Sequence, residues 1–281
     1  MLNENKRAKL LLYAGIAAFT LWAVVPYYWV IRTSILTNIA AISPDTGFIP
    51  DISLLTLDSY LAIWDRFAFQ TYFGNSIIVS IAATIISLFF AIPGAYAFAR
   101  LDFPGRQALF YTAVFTIMFP WIVLTIPVYE VFFFLDLVNT LTGIIIALSI
   151  FVLPQNIWLL QGFFRQGIPE NIEEAALIDG HNELTAFLRI VLPLSLPAVA
   201  AAALFAFLTA WNNFLWVFVL TTDEANRTAT VAIYYILGSD VLREWNVLMA
   251  SLVLLVAPPV IFYGLSRRYV GAGLGGSPGG G

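Results

Sequence analysis

The chain has 281 residues, 60% of them hydrophobic and 11% charged, with a mean hydropathy of +0.88. Soluble domains carry about a quarter of their residues as charges, so a soluble globular protein is excluded. A net charge of −4 argues against a nucleic-acid partner, and the absence of cysteine removes disulfides and thiolate metal sites.

The apolar residues fall in long runs, and about 20 of them cross the hydrocarbon core as a helix. Six runs pass that test, at roughly 10–31, 72–99, 108–129, 140–164, 194–220 and 245–266, and none contains Asp, Glu, Lys, Arg or His. In lipid every backbone polar group must be paired within its segment, so the runs are expected to be helices. The expected fold class is all-α, a polytopic membrane protein with six transmembrane helices.

Residues 1–9 carry Lys6, Arg7 and Lys9 ahead of the first run. This resembles a signal peptide, but the apolar stretch is too long and no A-x-A site precedes Arg32, so the span is expected to be retained. With the N-terminus inside, nine of the thirteen basic residues fall on that side, which places both termini and the 165–193 loop in the cytoplasm. The other side then holds ten acids against four bases, an acidic outer surface.

Residues 32–71 contain the turn signals Ser43-Pro44-Asp45-Thr46-Gly47 and Ile49-Pro50-Asp51. Leu57, Tyr60, Leu61, Trp64 and Phe67 then recur at helical spacing. They are read as an amphipathic helix on the outer membrane face, or as a lip that helps to seat an external partner. Between the second and third runs Pro104-Gly105 makes a tight turn, with Arg100 and Arg106 expected at the headgroups. In the fourth run Gln155 and Asn156 adjoin Pro154. Polar side chains at that depth mark either a solute path or a bond to freed backbone or a neighbouring helix.

The 165–193 loop is the chain's main polar island. Pro169 suits a first helical turn, and Glu170, Glu173 and Glu174 place negative charge near the positive end of its dipole. Ala175, Ala176, Leu177 and Ile178 continue the helix, and Gly180, after Asp179, fits the left-handed position that ends it. A second helix from Asn182 would carry Leu184, Phe187, Leu188 and Ile190 on one face and close at Pro193, just after Leu192. The lone His181 is expected as an exposed ring in the elbow.

In the fifth run Trp211, Asn212 and Asn213 set an aromatic face beside amides, which suits a sugar, although Trp at that depth is more commonly an interfacial anchor. Pro26, Pro93, Pro120, Pro127, Pro197 and Pro258 are tolerated in spans and prove no hinge individually. Residues 221–243 form a polar outer loop, and residues 267–281 a Gly-rich cytoplasmic tail.

Several classes of function fall away. The only lysines are Lys6 and Lys9, so no phosphate-binding G-x-x-x-x-G-K-[ST] loop exists. A proton-coupled secondary transporter, the rival class, normally carries ionisable relays within its spans. A channel needs a carbonyl filter or charged ring, and a hydrolase needs catalytic groups at membrane depth. The expectation is a non-enzymatic pathway moved by a partner.

The spacing Glu174-Ala175-Ala176-x-x-Asp179-Gly180, nine residues, Ile190-x-Leu192-Pro193 resembles the "EAA" loop of ATP-binding-cassette (ABC) importer permeases. Ala95-Tyr96-Ala97-Phe98-Ala99-Arg100 with Phe103-Pro104-Gly105, Asn75-Ser76, Leu153-Pro154 with Ile157-Trp158, and Ala210-Trp211-Asn212 extend the likeness to nearly the whole chain. Arg267-Arg268-Tyr269-Val270 with Gly273-Leu274 fits as well. The chain thus resembles the second, maltose-type permease subunit of carbohydrate importers. That resemblance implies a permease domain over 10–266, with 165–193 as the coupling loop docking on a separate ATPase. Glu173, Glu174, Ala175, Ala176, Asp179, Gly180, Ile190, Leu192 and Pro193 would form the coupling site. It also implies a second homologous permease, two ATPase subunits that hold ATP and Mg2+, an extracellular solute-binding protein and a sugar. This chain would bind no cofactor itself. The alternative within the class is another polar solute, such as glycerol phosphate or a polyamine.

Overall fold

The computed structural model describes residues 2–66, 68–238 and 244–274. Among them no strand forms beyond an isolated antiparallel bridge between Leu36 and Leu55. Residues group into two compact units, one up to Phe69 with Ile233–Ala257, the other Gln70–Ala232 with the residues from Pro258 onward.

The first unit contains α1 (Leu2–Ser34), α2 (Asn38–Ile42), α3 (Asp58–Arg66) and the start of α14 (Trp245–Leu274). Arg32 ends α1 and is buried; its guanidinium donates to the carbonyls of Thr46 (2.9 Å), Gly47 (2.6 Å) and Phe48 (3.2 Å) and lies 4.7 Å from the Trp29 ring centroid. Tyr28 donates to Phe48 O at 2.6 Å, so the predicted Ser43–Gly47 turn folds back on α1. Asn246 donates to Leu36 O (3.2 Å) and Ser59 Oγ (2.8 Å). The helical spacing seen from Leu57 is real, but α3 buries Ser59 and Ile63, leaving Leu57 and Leu61 exposed. Phe67 of that pattern lies outside the described residues.

The second unit is built on α4 (Phe69–Arg100) and α7 (Leu141–Gln166), which run side by side in the same direction. Val79 and Ala83 meet Ile144 and Leu148 at one end, and Ala91 and Ala95 meet Leu160 and Phe164 at the other. Ala83, Ala91 and Ala95 are small enough to let larger side chains of α7 pack close to the α4 backbone, where lipid offers no hydrophobic drive.

Two of the expected spans are not straight helices. The run at 108–129 divides into α5 (Arg106–Met118) and, after a 3-10 turn at Trp121–Leu124, α6 (Thr125–Phe134), bent by 98°. Pro120 forces Phe119 into extended backbone (φ −75°, ψ 131°) and donates no hydrogen bond, so the helix stops there. The run at 194–220 becomes α11 (Leu196–Trp211) and α12 (Leu215–Leu220), separated at Asn212–Phe214. Asn213 Oδ1 restarts the helix by accepting from Trp216 N at 3.0 Å. A second bend of 72° precedes α11 at Ser195, where Pro197 cannot donate to the carbonyl of Pro193. By length and composition four helices can cross a membrane among the described residues, and six spans result if each bent pair counts as one.

α13 (Ala229–Gly238) follows, and α14 runs as helix through Leu274, so helix covers the first part of the expected tail. Residues 275–281 of that tail lie outside the described residues.

Candidate functional site

The 165–193 loop folds as an elbow of two short helices. Pro169 (φ −62°, ψ 138°) sits at the N-cap of α8 (Glu170–Ile178), one residue earlier than the sequence suggested. α8 ends in a Schellman motif: His181 N donates to Ala176 O at 3.0 Å and Gly180 N to Leu177 O at 3.1 Å. Gly180 takes φ +87°, the left-handed geometry its position predicted. A Cβ there would meet nothing within 4 Å, so backbone conformation rather than space calls for glycine. His181, expected to be exposed, is half-buried beside the turn.

Asn182 Oδ1 caps α9 (Glu183–Ala186) by accepting from Thr185 N at 2.8 Å. The chain continues as a π-helical turn, Phe187–Val191, into α10 (Leu192–Leu194). That wider turn shifts the helical register. The expected single face therefore splits: Phe187 and Val191 enter the core, while Leu184 and Leu188 stay exposed. Ile190 and Leu192 are half-buried and Pro193 is exposed, leading into the Ser195 bend.

Each of the paired residues in the motif also divides. Ala176 is 2% exposed and packs inward, whereas Ala175 faces out. Glu174 and Asp179 are exposed, but Glu173 turns into the protein. Its carboxylate lies 3.0 Å from Arg100 Nε and accepts the Tyr96 hydroxyl at 2.9 Å. Arg100 also donates through Nη2 to Ile168 O. The two charged side chains are 6% and 17% exposed, so Arg100 is not the headgroup anchor expected of it. Arg106 is partly exposed and pairs with Asp102 at 2.8 Å. The link from Arg100 to an acid 73 positions later carries no local sequence signal; the only hint was the Tyr96–Arg100 motif itself.

Beside the elbow opens a cleft of about 530 Å3, whose lining includes Arg100, Arg106, Arg165, Glu173, Glu174 and Glu183. Past it the elbow presents Leu177, Ile178 (85% exposed) and Leu184 (66% exposed). The elbow thus exposes apolar side chains beside charged ones, surface of the kind that another surface can cover.

The expected solute-path residues are less uniform. Asn156 is 1% exposed and donates to Ser87 Oγ at 3.0 Å, a bond from α7 to α4. Trp211 is buried against Phe73 (5.8 Å, edge-on) and Phe207 (5.7 Å, stacked), and its carbonyl accepts from Thr230 at 3.0 Å. Asn213 is buried, its Oδ1 taken by Trp216 N in the first turn of α12. Gln155 is half-buried and Asn212 is exposed at the helix break.

Residues 91–275 match the family described as binding-protein-dependent transport system inner membrane component. The chain is 31% identical over 278 residues to the inner membrane ABC transporter permease protein YcjP of Escherichia coli K12, covering 97% of this chain and 96% of that one. It is 33% identical over 254 residues to the trehalose transport system permease protein SugB of Mycobacterium tuberculosis (90% and 91% covered). It is 34% identical over 268 residues to the arabinooligosaccharides transport system permease protein AraQ of Halalkalibacterium halodurans (94% of each). In fold it is similar to a chain of a bacterial ABC transporter that imports the acidic polysaccharide alginate, with a TM-score of 0.80 at 24% identity over 95% of this chain and 97% of that one.

Proposed function

Because the chain belongs to the binding-protein-dependent inner membrane transport components, we propose that it is the sugar-conducting permease subunit of an ATP-driven ABC importer whose ATPase docks on the 165–193 elbow. One observation carries this reading. The elbow has its own folded geometry, with Gly180 at φ +87°, yet leaves Ala175, Leu177, Ile178 and Leu184 uncovered.

ATP and Mg2+ belong to the separate ATPase, since Lys6 and Lys9 are the chain's only lysines. Glu174 offers a carboxylate to a basic or hydrogen-bonding group there, and Ala175 allows close approach. A second homologous permease completes the pathway, two ATPases drive it, and an external binding protein delivers the solute. Both termini and the elbow lie in the cytoplasm, which the asymmetry of the basic residues supports. Closure of the ATPases draws the elbows together and rocks the packed spans from inward-open to outward-open.

The named relatives that handle trehalose and arabinooligosaccharides support a sugar as the solute. Gln155 and Asn212, the less buried of the candidate residues, face the path, with Asn156, Trp211 and Asn213 forming the frame behind them.

Gly180→Val and Glu174→Ala test the docking reading. Val tolerates positive φ poorly, and neither residue lies in a span. Both variants should insert normally but lose ATPase on co-purification from membranes, and sugar uptake should fall with it. If both hold their ATPase and transport at the parent rate, the elbow is a plain connector and the proposal fails.

A further inference from the structure

The motif that ends at Arg100 and the loop that carries Glu174–Gly180, read as separate features of the sequence, are joined by a largely shielded charge cluster. Apolar packing alone holds α8 weakly: Ala176 is the only buried side chain among those described in that helix. Glu173 supplies the rest. It pairs with Arg100 at 3.0 Å and takes the Tyr96 hydroxyl at 2.9 Å, both from the last turns of α4. Arg100 reaches past it to the carbonyl of Ile168, between α7 and α8. The Tyr96 ring meanwhile packs edge-on to Phe164 of α7 (5.8 Å) and against Phe187 beyond α9 (4.4 Å). One turn of α4 therefore touches the end of α7, the first elbow helix and the π-helical turn that follows α9.

We propose that Tyr96, Arg100 and Glu173 form a transmission clasp, positioning residues that make the elbow and the Arg100 end of α4 move as one piece. Parting the pair takes from the largely shielded Glu173 carboxylate the cation that faces it, so a shift of α8 that leaves α4 behind is opposed. Below the clasp Ala91 and Ala95 are fully buried against the Leu160–Phe164 stretch of α7. Displacement of α4 is thus handed to a neighbouring span through close contact. The clasp touches neither ATP nor solute; its role is to convert motion of the elbow into motion of the membrane helices.

The inference rests on the docking reading above, and the experiment separates the two. The complete complex, purified with its companion subunits into lipid vesicles, is prepared with Glu173→Gln, Arg100→Gln and Tyr96→Phe in this chain. ATPase retained, ATP hydrolysis with and without solute-loaded binding protein, and uptake per retained complex are measured together. A docking failure shows as lost ATPase, as expected of Gly180→Val and Glu174→Ala. A clasp failure shows at unchanged ATPase content.

Glu173→Gln and Arg100→Gln should keep their ATPase while solute stimulation of hydrolysis and uptake per complex fall roughly tenfold, the scale reached by coupling residues that touch neither ligand. Tyr96→Phe, which leaves the ion pair in place, should show a smaller fall of the same kind. Parent values of stimulation and uptake in both charge variants would overturn the clasp. So would losses of uptake that track loss of ATPase, since that marks a merely structural support. If neither charge variant assembles, Tyr96→Phe decides alone: stimulation at the parent ratio overturns the proposal.

Discussion

The two ends of α4 are held in different ways. At its N-terminal end the loop following α12 is tied down group by group. Tyr72 bonds the Glu224 carboxylate, Asn75 donates to the carbonyls of Ala225 (2.8 Å) and Arg227 (2.9 Å), and Ser76 Oγ accepts from Ala229 N at 2.9 Å. Asn139, in left-handed backbone (φ 59°), gathers the same loop by accepting from Thr222 N (2.6 Å) and Asp223 N (3.1 Å). At the Arg100 end the charged cluster of Glu173 and buried Ala176 hold α8 among the described residues, and the apolar side chains beyond stay uncovered. A loop that pairs its own backbone groups is complete within this chain. A loop that leaves apolar side chains bare has surface to spare, which is what the proposed docking uses.

Breaking the tied loop should therefore cost stability and leave coupling alone, the reverse of what the elbow variants do. Gly143→Ala, in the first turn of α7 just past the Asn139 that gathers the loop, should have the largest effect. Its added Cβ would fall 2.1 Å from the carbonyl oxygen of Leu137, a backbone atom that cannot swing aside. Overpacking of this kind costs about 3 kcal/mol. Asn139→Ala removes the acceptor of two backbone N–H groups and should cost about 1.5 kcal/mol. Thermal unfolding of the detergent-solubilised complex should shift down in that order, with the ratio of sugar uptake to ATP hydrolysis unchanged. Uncoupling in either variant would erase the contrast between the two ends.

A smaller effect sharpens the same contrast by orientation. Ala225→Cys and Asp179→Cys replace exposed residues of the tied loop and of the elbow. In intact cells an impermeant thiol reagent should label the first and reach the second only after the membrane is opened. Labelling of Asp179→Cys in intact cells would invert the topology.

The long apolar runs were legible because charge-free stretches of that length admit few structures in lipid. The Gly180 elbow was legible because a helix end followed by left-handed backbone is written locally. The breaks were not. Pro93 and Pro154 lie inside continuous helices whereas Pro120 ends one, and nothing within a few residues distinguishes them. The division of labour between Ala175 and Ala176, and between Glu173 and Glu174, was hidden for a related reason. Which side of α8 faces inward depends on Arg100 and Tyr96, which the fold brings in from another span. Asn156 was left open between a solute path and a bond across helices, and the observed contact to Ser87 is of the second kind.

The central claim is that the uncovered face of the elbow is a seat for a separate ATPase. A photo-reactive amino acid at Ile178, 85% exposed and outside the clasp, tests it in living cells. Irradiation should join this chain to a polypeptide that mass spectrometry identifies as an ATPase carrying a phosphate-binding loop, while the same probe at Ala225 should not. Adducts from Ile178 only to lipid, or only within this chain, would contradict the account.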